Sequence, residues 1–345
     1  MDNQIYIFQL PTLCNYGINC TDRNCNYSHP LGFYKQKHPK YKYYIGKQNI
    51  LFKCYKIMTK KFKNQITLQY FTNKFNNFNF EQILGIKYFG MDYNMLPQPY
   101  FLLENSLVLN HGANHLGGGV LRKGFVQEEI KTLSSTLLGA FVACHDWKNL
   151  PIELQSSLIK EPFVIRMEQF ANIEKLYATD GVLKANNIQT VEQNIEALDN
   201  IIKFDWLCMA FPKLEFTDGR QYNYDMLLQM FITSYRAFSI GLANAICNAD
   251  DEINIQIGNI GCGAFNHCIN VTFSIVMLGL YSARLEINKK INIYYCAYDD
   301  NNCKELNGDN GAVNFLKSCE GNNIGQIISD VMDKCKKYKN WRDKL

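Results

Sequence analysis

No acidic residue occurs between Asp22 and Glu81, although ten lysines lie between Lys35 and Lys63. With Arg23 set against Asp2 and Asp22, the first 64 residues carry a net +9; the whole chain carries +4, so the rest is acidic by −5. Such polarity implies a basic arm that meets a polyanion, joined to a mildly acidic domain with another task. Long hydrophobic runs are also missing. The longest nearly apolar stretch, Val271 to Ala283, is too short to cross a bilayer, and Met1-Asp2-Asn3-Gln4 lacks the basic start of a secretory signal. The ending Arg342-Asp343-Lys344-Leu345 matches neither a peroxisomal nor an ER address. These absences point to an intracellular protein of the nucleus, the cytoplasm or both, monomeric and without a membrane partner. A disulfide framework is excluded by the odd count of thirteen cysteines, several of which (Cys144, Cys208, Cys247, Cys296) stand singly in apolar runs as reduced core thiols would. There is no internal repeat.

What remains is a chain of 345 residues, nearly half of them hydrophobic, which exceeds the usual size of one domain. Three segments are expected: a small Cys-rich module at residues 1–31, a basic and aromatic extension at 32–98, and an α/β domain at 99–345. In the last, short apolar runs predict strands near Leu107–Asn110, Phe163–Met167, Ile201–Asp205, Ile253–Ile257 and Ile291–Ala297. Amphipathic patterns predict helices near Gln127–Leu138, Tyr224–Cys247, Val271–Leu285 and Ile324–Lys337. The extension interleaves its lysines with Tyr41, Tyr43, Tyr44, Phe52, Tyr55 and Phe62, the composition of a groove for a single-stranded polyanion. The same residues also suit the solvated face of an extension whose aromatics are buried, and Ile50-Leu51-Phe52 reads as buried structure.

Cys14, Cys20, Cys25 and His29 spell C-x5-C-x4-C-x3-H, with Gly17 letting the chain turn. Four such ligands within sixteen residues are what tetrahedral Zn²⁺ needs, and a segment with almost no apolar periodicity needs a staple. The spacing resembles CCCH zinc fingers, particularly those that bind polyadenosine RNA; the Ser28-His29-Pro30 close also resembles the poly(ADP-ribose)-binding CCHH finger, which has a histidine where Cys25 stands. Either resemblance implies an adenine-rich anionic ligand stacked on Tyr16 or Tyr27.

The most informative segment runs from Leu107 to Ile130. An apolar strand leads to Asn110 and Asn114, then the turn Gly117-Gly118-Gly119, then a helix opening at Gln127-Glu128-Glu129. Three glycines let backbone N–H groups approach oxygen anions, the chemistry of a diphosphate cradle. Taken alone, acidic residues in a first helical turn merely suit the helix dipole. The arrangement GGG-x7-QEE, however, resembles the signature of poly(ADP-ribose) glycohydrolases, and six fixed positions coincide by chance on the order of 10⁻⁷ per start point. Further segments follow in that family's order: Val164 to Asn172, Ile201 to Phe211, the Arg220-Gln221-Tyr222 helix start, Gly258 to Phe265, and Ile293 to Tyr295.

The resemblance implies a macrodomain, a mixed sheet between helices, holding the terminal ADP-ribose unit of the polymer. Its diphosphate would lie between the Gly117–Gly119 turn and a second loop of Asn259, Gly261, Cys262, Gly263, Ala264 and Phe265, with Phe265 on the distal ribose and Tyr177 on the adenine. Gln127 and Asn110 would bind the substrate, the family's ribose-contacting asparagine is either lost or displaced by one residue to Asn114, Glu128 would orient the ribose hydroxyls, and Glu129 would be the acid/base catalyst. The resemblance assigns no metal to the chemistry; zinc belongs to the finger. Departures fall among binding contacts: Asn110-His111-Gly112-Ala113 replaces the usual Asp-Phe-Ala-Asn, and Asn266-His267-Cys268 replaces Gly-Gly-Asp. Two other readings stay open, a non-catalytic protein binding ADP-ribose and adenine-rich RNA, and a mono-ADP-ribosyl hydrolase. Retention of both glutamates favours an enzyme over the binding protein, since a reader needs the glycine loops but not Glu129.

Overall fold

The structure is a computed structural model, and it describes residues 2–9, 41–62, 65–72, 79–99, 103–110, 125, 127–135, 161–215, 221–263 and 265–335. The zinc-finger cysteines, the Gly117–Gly119 turn, Asn114 and Ala264 lie outside these residues. Eight strands form one mixed sheet: β1 (Asp2–Gln9), β2 (Gln65–Thr72), β3 (Asn94–Leu96), β4 (Ser106–Leu109), β5 (Phe163–Asn172), β6 (Glu196–Cys208), β7 (Ile253–Gly258) and β8 (Ile291–Cys296), in the order β1-β2-β5-β6-β4-β7-β8-β3. Strands β6, β4, β7, β8 and β3 are parallel neighbours, and β1, β2 and β5 extend the sheet antiparallel from β6.

Side chains alternate between the two faces of these strands, and each face has its own core. Leu107, Leu109, Val164 and Leu207 point to one side, where α6 (Tyr224–Asn244), α7 (Ile269–Arg284) and the C-terminal helices α8 (Asp300–Asn307), α9 (Ala312–Ser318) and α10 (Ile324–Cys335) bury Phe231, Phe238, Phe273, Leu278, Ile327 and their neighbours. Val108, Ile165, Met167, Trp206 and Cys208 point to the other, against α1 (Tyr41–Phe62), α3 (Gln127–Ser134), α4 (Ala178–Lys184) and α5 (Ile188–Asn194). A five-residue helix, α2 (Phe80–Leu84), is capped by Asn79, whose side chain accepts from the Gln82 N–H. Strands β4 and β7 are buried at every position, as parallel strands covered on both faces require. The α/β macrodomain architecture expected from the sequence is the one observed.

The sheet runs across both expected segment boundaries. Strand β1 lies within residues 1–31, and α1 and β2 lie within the basic extension; β2 pairs with β5 through Gln69–Arg166, Tyr70–Ile165 and Phe71–Val164. Helix α1 is held by an apolar stripe at helical spacing: Ile50, Leu51, Cys54 and Met58 are buried in the core beneath α3 and α4. Gly46 makes this closeness possible, since a Cβ there would sit 2.0 Å from the Val182 carbonyl oxygen. Several lysines of the extension serve the fold itself. Lys53 pairs with Glu192, Lys61 donates to the Leu198 carbonyl, and Lys47 is buried.

Candidate active site

Because β6, β4, β7 and β8 are parallel, their carboxyl ends share one edge, the place where open α/β sheets bind ligands. Asn110 follows β4, the Gly258–Phe265 loop follows β7, and Ala297-Tyr298 follow β8. Helix α3 brings Gln127, Glu128 and Glu129 to the same region. A solvated first turn would leave these carboxylates in water, yet Glu128 and Glu129 are each only 4% exposed and Gln127 2%. Asn110, itself fully buried, donates from Nδ2 to Glu128 Oε1 at 3.1 Å, while its own N–H bonds the Leu207 carbonyl at 2.8 Å. Of the two asparagines expected to bind substrate, Asn110 is thus placed beside Glu128. The Gln127 amide is buried with neither Oε1 nor Nε2 satisfied among the described residues, a costly state unless a ligand supplies partners.

Two cations enter this neighbourhood. Lys131, one turn along α3, donates to Gln169 Oε1 at 3.2 Å and lies over the Phe204 ring; burial pushes its ammonium down to about 8, against the pull of Glu174. Lys47 comes from α1, 1% exposed, with its Nζ 5.0 Å from the centre of the Phe125 ring. Burial pushes it down to about 7, opposed by the charge of Glu129. Tyr177 is half-buried, its ring 6.3 Å from that of Tyr298, and it feels both Tyr298 and Glu129; burial foremost raises its phenol. The expected adenine contact therefore stands within electrostatic reach of the expected catalyst, with Tyr298, half exposed and at φ 83°, as a second aromatic wall.

The second glycine loop is fastened at several points. Asn259 donates to the Ala297 carbonyl at 2.7 Å and accepts from the Tyr295 hydroxyl at 2.8 Å, so its amide holds the loop to β8 rather than standing open to a ligand. Gly261 has φ 73°, and a Cβ there would lie 2.7 Å from His267 Cδ2. Gly263 is exposed, with no atom within 4 Å of where its Cβ would be, so a ligand can approach its backbone closely. Cys262 shares a 3.1 Å hydrogen bond with Thr272 Oγ1, and the half-buried Phe265 accepts the Leu214 N–H through its carbonyl at 3.0 Å.

His267, in the segment that departs from the family pattern, is the buried bolt of this loop. Its Nε2 donates to the Pro212 carbonyl at 2.6 Å, leaving Nδ1 to accept from the Tyr222 hydroxyl at 2.9 Å; Tyr222 in turn accepts the Cys268 N–H at 3.0 Å. Burial lowers the imidazole below its ordinary range, which suits this neutral tautomer. The adjacent Cys268 thiol is pushed up to about 12 by burial and is no nucleophile at neutral pH. Lys47, Tyr298 and the anchoring role of His267 are absent from the residues singled out by sequence. Lys47 was legible in principle, since it falls three, four and seven residues before Ile50, Leu51 and Cys54 on one stripe.

A mixed sheet with a fastened glycine loop at its parallel carboxyl edge and two buried carboxylates at the same edge defines a macrodomain-type α/β protein. The chain belongs to the poly(ADP-ribose) glycohydrolase family: the sequence pattern of that family's catalytic domain, described as Poly (ADP-ribose) glycohydrolase (PARG), Macro domain fold, matches residues 103–305, more than half of the chain. Residues 10–30 match the Nab2-type CCCH zinc finger 4 pattern. Among solved structures, the poly(ADP-ribose) glycohydrolase of Thermomonospora curvata bound to the inhibitor ADP-HPD is similar at 15% identity and TM-score 0.35, over 57% of this chain and 66% of that chain. Another structure of the Thermomonospora curvata enzyme is similar at 12% identity and TM-score 0.38, over 83% of this chain and 98% of that one. No curated protein sequence matches the chain.

Proposed function

We propose that this chain hydrolyses the ribose–ribose O-glycosidic bonds of poly(ADP-ribose), releasing ADP-ribose, with Glu129 as general acid and base. The observation that carries the reading is the burial of Glu128 and Glu129 together at the start of α3, with Asn110 fixing the first. A binding protein needs the glycine loops but has no use for two carboxylates withdrawn from water, which cost free energy to keep there. In the first step the Glu129 carboxyl gives its proton to the departing 2′-oxygen as the bond from that oxygen to C1″ breaks and positive charge develops at C1″. In the second, the Glu129 carboxylate takes a proton from water as the water oxygen bonds C1″. Glu128 orients the ribose hydroxyls, Gln127 fills its unmet hydrogen bonds on the ligand, and the backbone of Gly261 to Phe265 faces the diphosphate. Incubation with labelled poly(ADP-ribose) tests this: free ADP-ribose from the wild type and none above background from Glu129→Gln is the expected result. Binding of ADP-ribose with no turnover of the polymer would make the chain a reader instead.

The same reading assigns Cys14, Cys20, Cys25 and His29 a structural Zn²⁺, on the chemistry of the donor set: three thiolates and an imidazole make a closed tetrahedral site. Among the described residues no cluster of metal-ligating side chains occurs. The finger would deliver the domain to adenine-rich anionic polymer, either poly(ADP-ribose) or RNA.

A further inference from the structure

A cavity of about 310 Å³ opens between the segment from Tyr88 to Tyr93, the last turn of α7 and helix α9. Helix α7 has sixteen residues and starts just after Cys268, so Arg284 at its end stands roughly 24 Å along the helix from the fastened glycine loop. The volume is that of a small-molecule site. Phe89 forms one wall and is 67% exposed, although Tyr88 beside it is buried. The segment is pinned on both sides of Phe89. Tyr88 donates its N–H to the Asn322 carbonyl at 2.9 Å and accepts the Gly321 N–H at 2.8 Å, while the Tyr93 ring meets Phe273 edge-on at 5.5 Å.

Four charged groups line this cavity: Asp92, Arg284, Lys317 and Glu320. Opposite charges on one cavity ordinarily close on each other, yet none of the four makes an ion pair or a side-chain hydrogen bond among the described residues. Arg284 is half-buried and lies 5.2 Å from the centre of the Tyr281 ring, whose hydroxyl donates to the Lys87 carbonyl at 3.0 Å. That stack holds the guanidinium in place and leaves its N–H groups for a ligand. Gly90, at φ 84°, lets the Glu320 carboxylate lie against the backbone, its Oε1 2.8 Å from where a Cβ would be. Burial foremost raises the Tyr88 phenol, and Glu320 and Arg284 both act on it, so the two charges lie within electrostatic reach of one hydroxyl.

A guanidinium fork matches a phosphate, carboxylates accept from ribose hydroxyls, and an exposed aromatic face stacks a base. We propose that this cavity is a second ligand site that takes a nucleoside phosphate, with the phosphate on Arg284 and Lys317, the ribose hydroxyls on Asp92 and Glu320, and the base on Phe89. A bare anion would meet the two carboxylates, and an apolar ligand would strand the guanidinium; a nucleotide gives each group a partner. The site shares no residue with the glutamates and does not depend on Glu129 being the catalyst. Two sources carry this chemistry, a free mononucleotide and a unit within a poly(ADP-ribose) chain.

The experiment irradiates the full chain with 8-azido-AMP and maps the labelled peptides. Saturable label is expected at residues 86–93 or 313–320, displaced by excess AMP. Half-saturation there should need about tenfold more probe in Arg284→Gln, from loss of a charge-assisted hydrogen bond, and about fivefold more in Phe89→Ala, from loss of stacking. Phe89 is exposed, so its truncation tests the site without disturbing the core. Label confined to the segments of Tyr177 and Tyr298, label that AMP does not displace, or equal half-saturation in the wild type and both variants overturns the proposal. In Glu129→Gln, displacement of the label by poly(ADP-ribose) assigns the site to the polymer, and displacement by AMP alone assigns it to free nucleotide. Polymer cleavage by Glu129→Gln would instead remove the catalyst reading and leave the AMP result standing.

Discussion

Asn110 and Glu128, eighteen residues apart, are joined by a buried 3.1 Å hydrogen bond that ties the end of β4 to the first turn of α3. The bond joins residues on either side of the glycine-rich segment, so Glu128 is aimed by the end of the sheet. Asn110→Ala leaves a buried carboxylate oxygen short of its donor, and a loss of about 1–3 kcal/mol is expected in chemical denaturation. Turnover should fall with it.

The two glutamates should separate kinetically. Glu129→Gln keeps volume and cannot deliver the proton, so kcat on the polymer should fall by about 10²–10⁴ while ADP-ribose affinity measured by calorimetry stays within a few-fold. Glu128→Gln should raise the dissociation constant as well as lower kcat, since orienting hydroxyls acts in the ground state too. Equal losses of affinity in both variants would remove the division of labour.

Deleting residues 1 to 64 should abolish folding of the catalytic domain, because it removes α1 and the strand partner of β2. The milder Leu51→Ala should cost about 2–5 kcal/mol as a large-to-small change in a closed core. Gly46→Ala should be comparably harmful by forcing α1 off the Val182 carbonyl. Denaturant titration of each variant gives the loss.

His267 makes stability depend on pH in a defined direction. Its folded proton affinity is depressed by burial, so below the ordinary imidazole range of about 6.5 the unfolded chain binds a proton that the folded chain refuses. Its contribution is therefore complete above about pH 6.5 and is lost as pH falls towards and through its folded value. Thermal melts across this interval should show a drop in the wild type that is flattened in His267→Asn. A parallel pair of curves would show that His267 does not carry the dependence.

One zinc per chain is expected in gently purified protein, lost in Cys20→Ser and on chelation. Metal analysis of the two proteins settles it; a ratio near zero in the wild type would remove the finger.

Much of this protein is written locally. The strands β4, β5, β7 and β8 show as apolar runs, α6 and α10 as amphipathic repeats, and the glycine triplet with Gln127-Glu128-Glu129 as a spaced motif; each signal depends only on residues near one another in the chain. The spacing of Cys14, Cys20, Cys25 and His29 is of the same kind. In the extension ten lysines left two readings open, a polyanion groove and a solvated face over buried aromatics; in the structure the apolar stripe of Ile50, Leu51, Cys54 and Met58 binds α1 to the domain, and Lys47 is buried with it. Only the tertiary structure decided that packing. Which lysines face water and which are buried depends on how α1 packs on α3, α4, α5 and β5, and that packing is set by contacts between residues far apart in the chain. The bolt of His267, Tyr222 and Pro212 was hidden for the same reason, since a hydrogen-bond network across 45 to 55 residues leaves no periodicity in sequence.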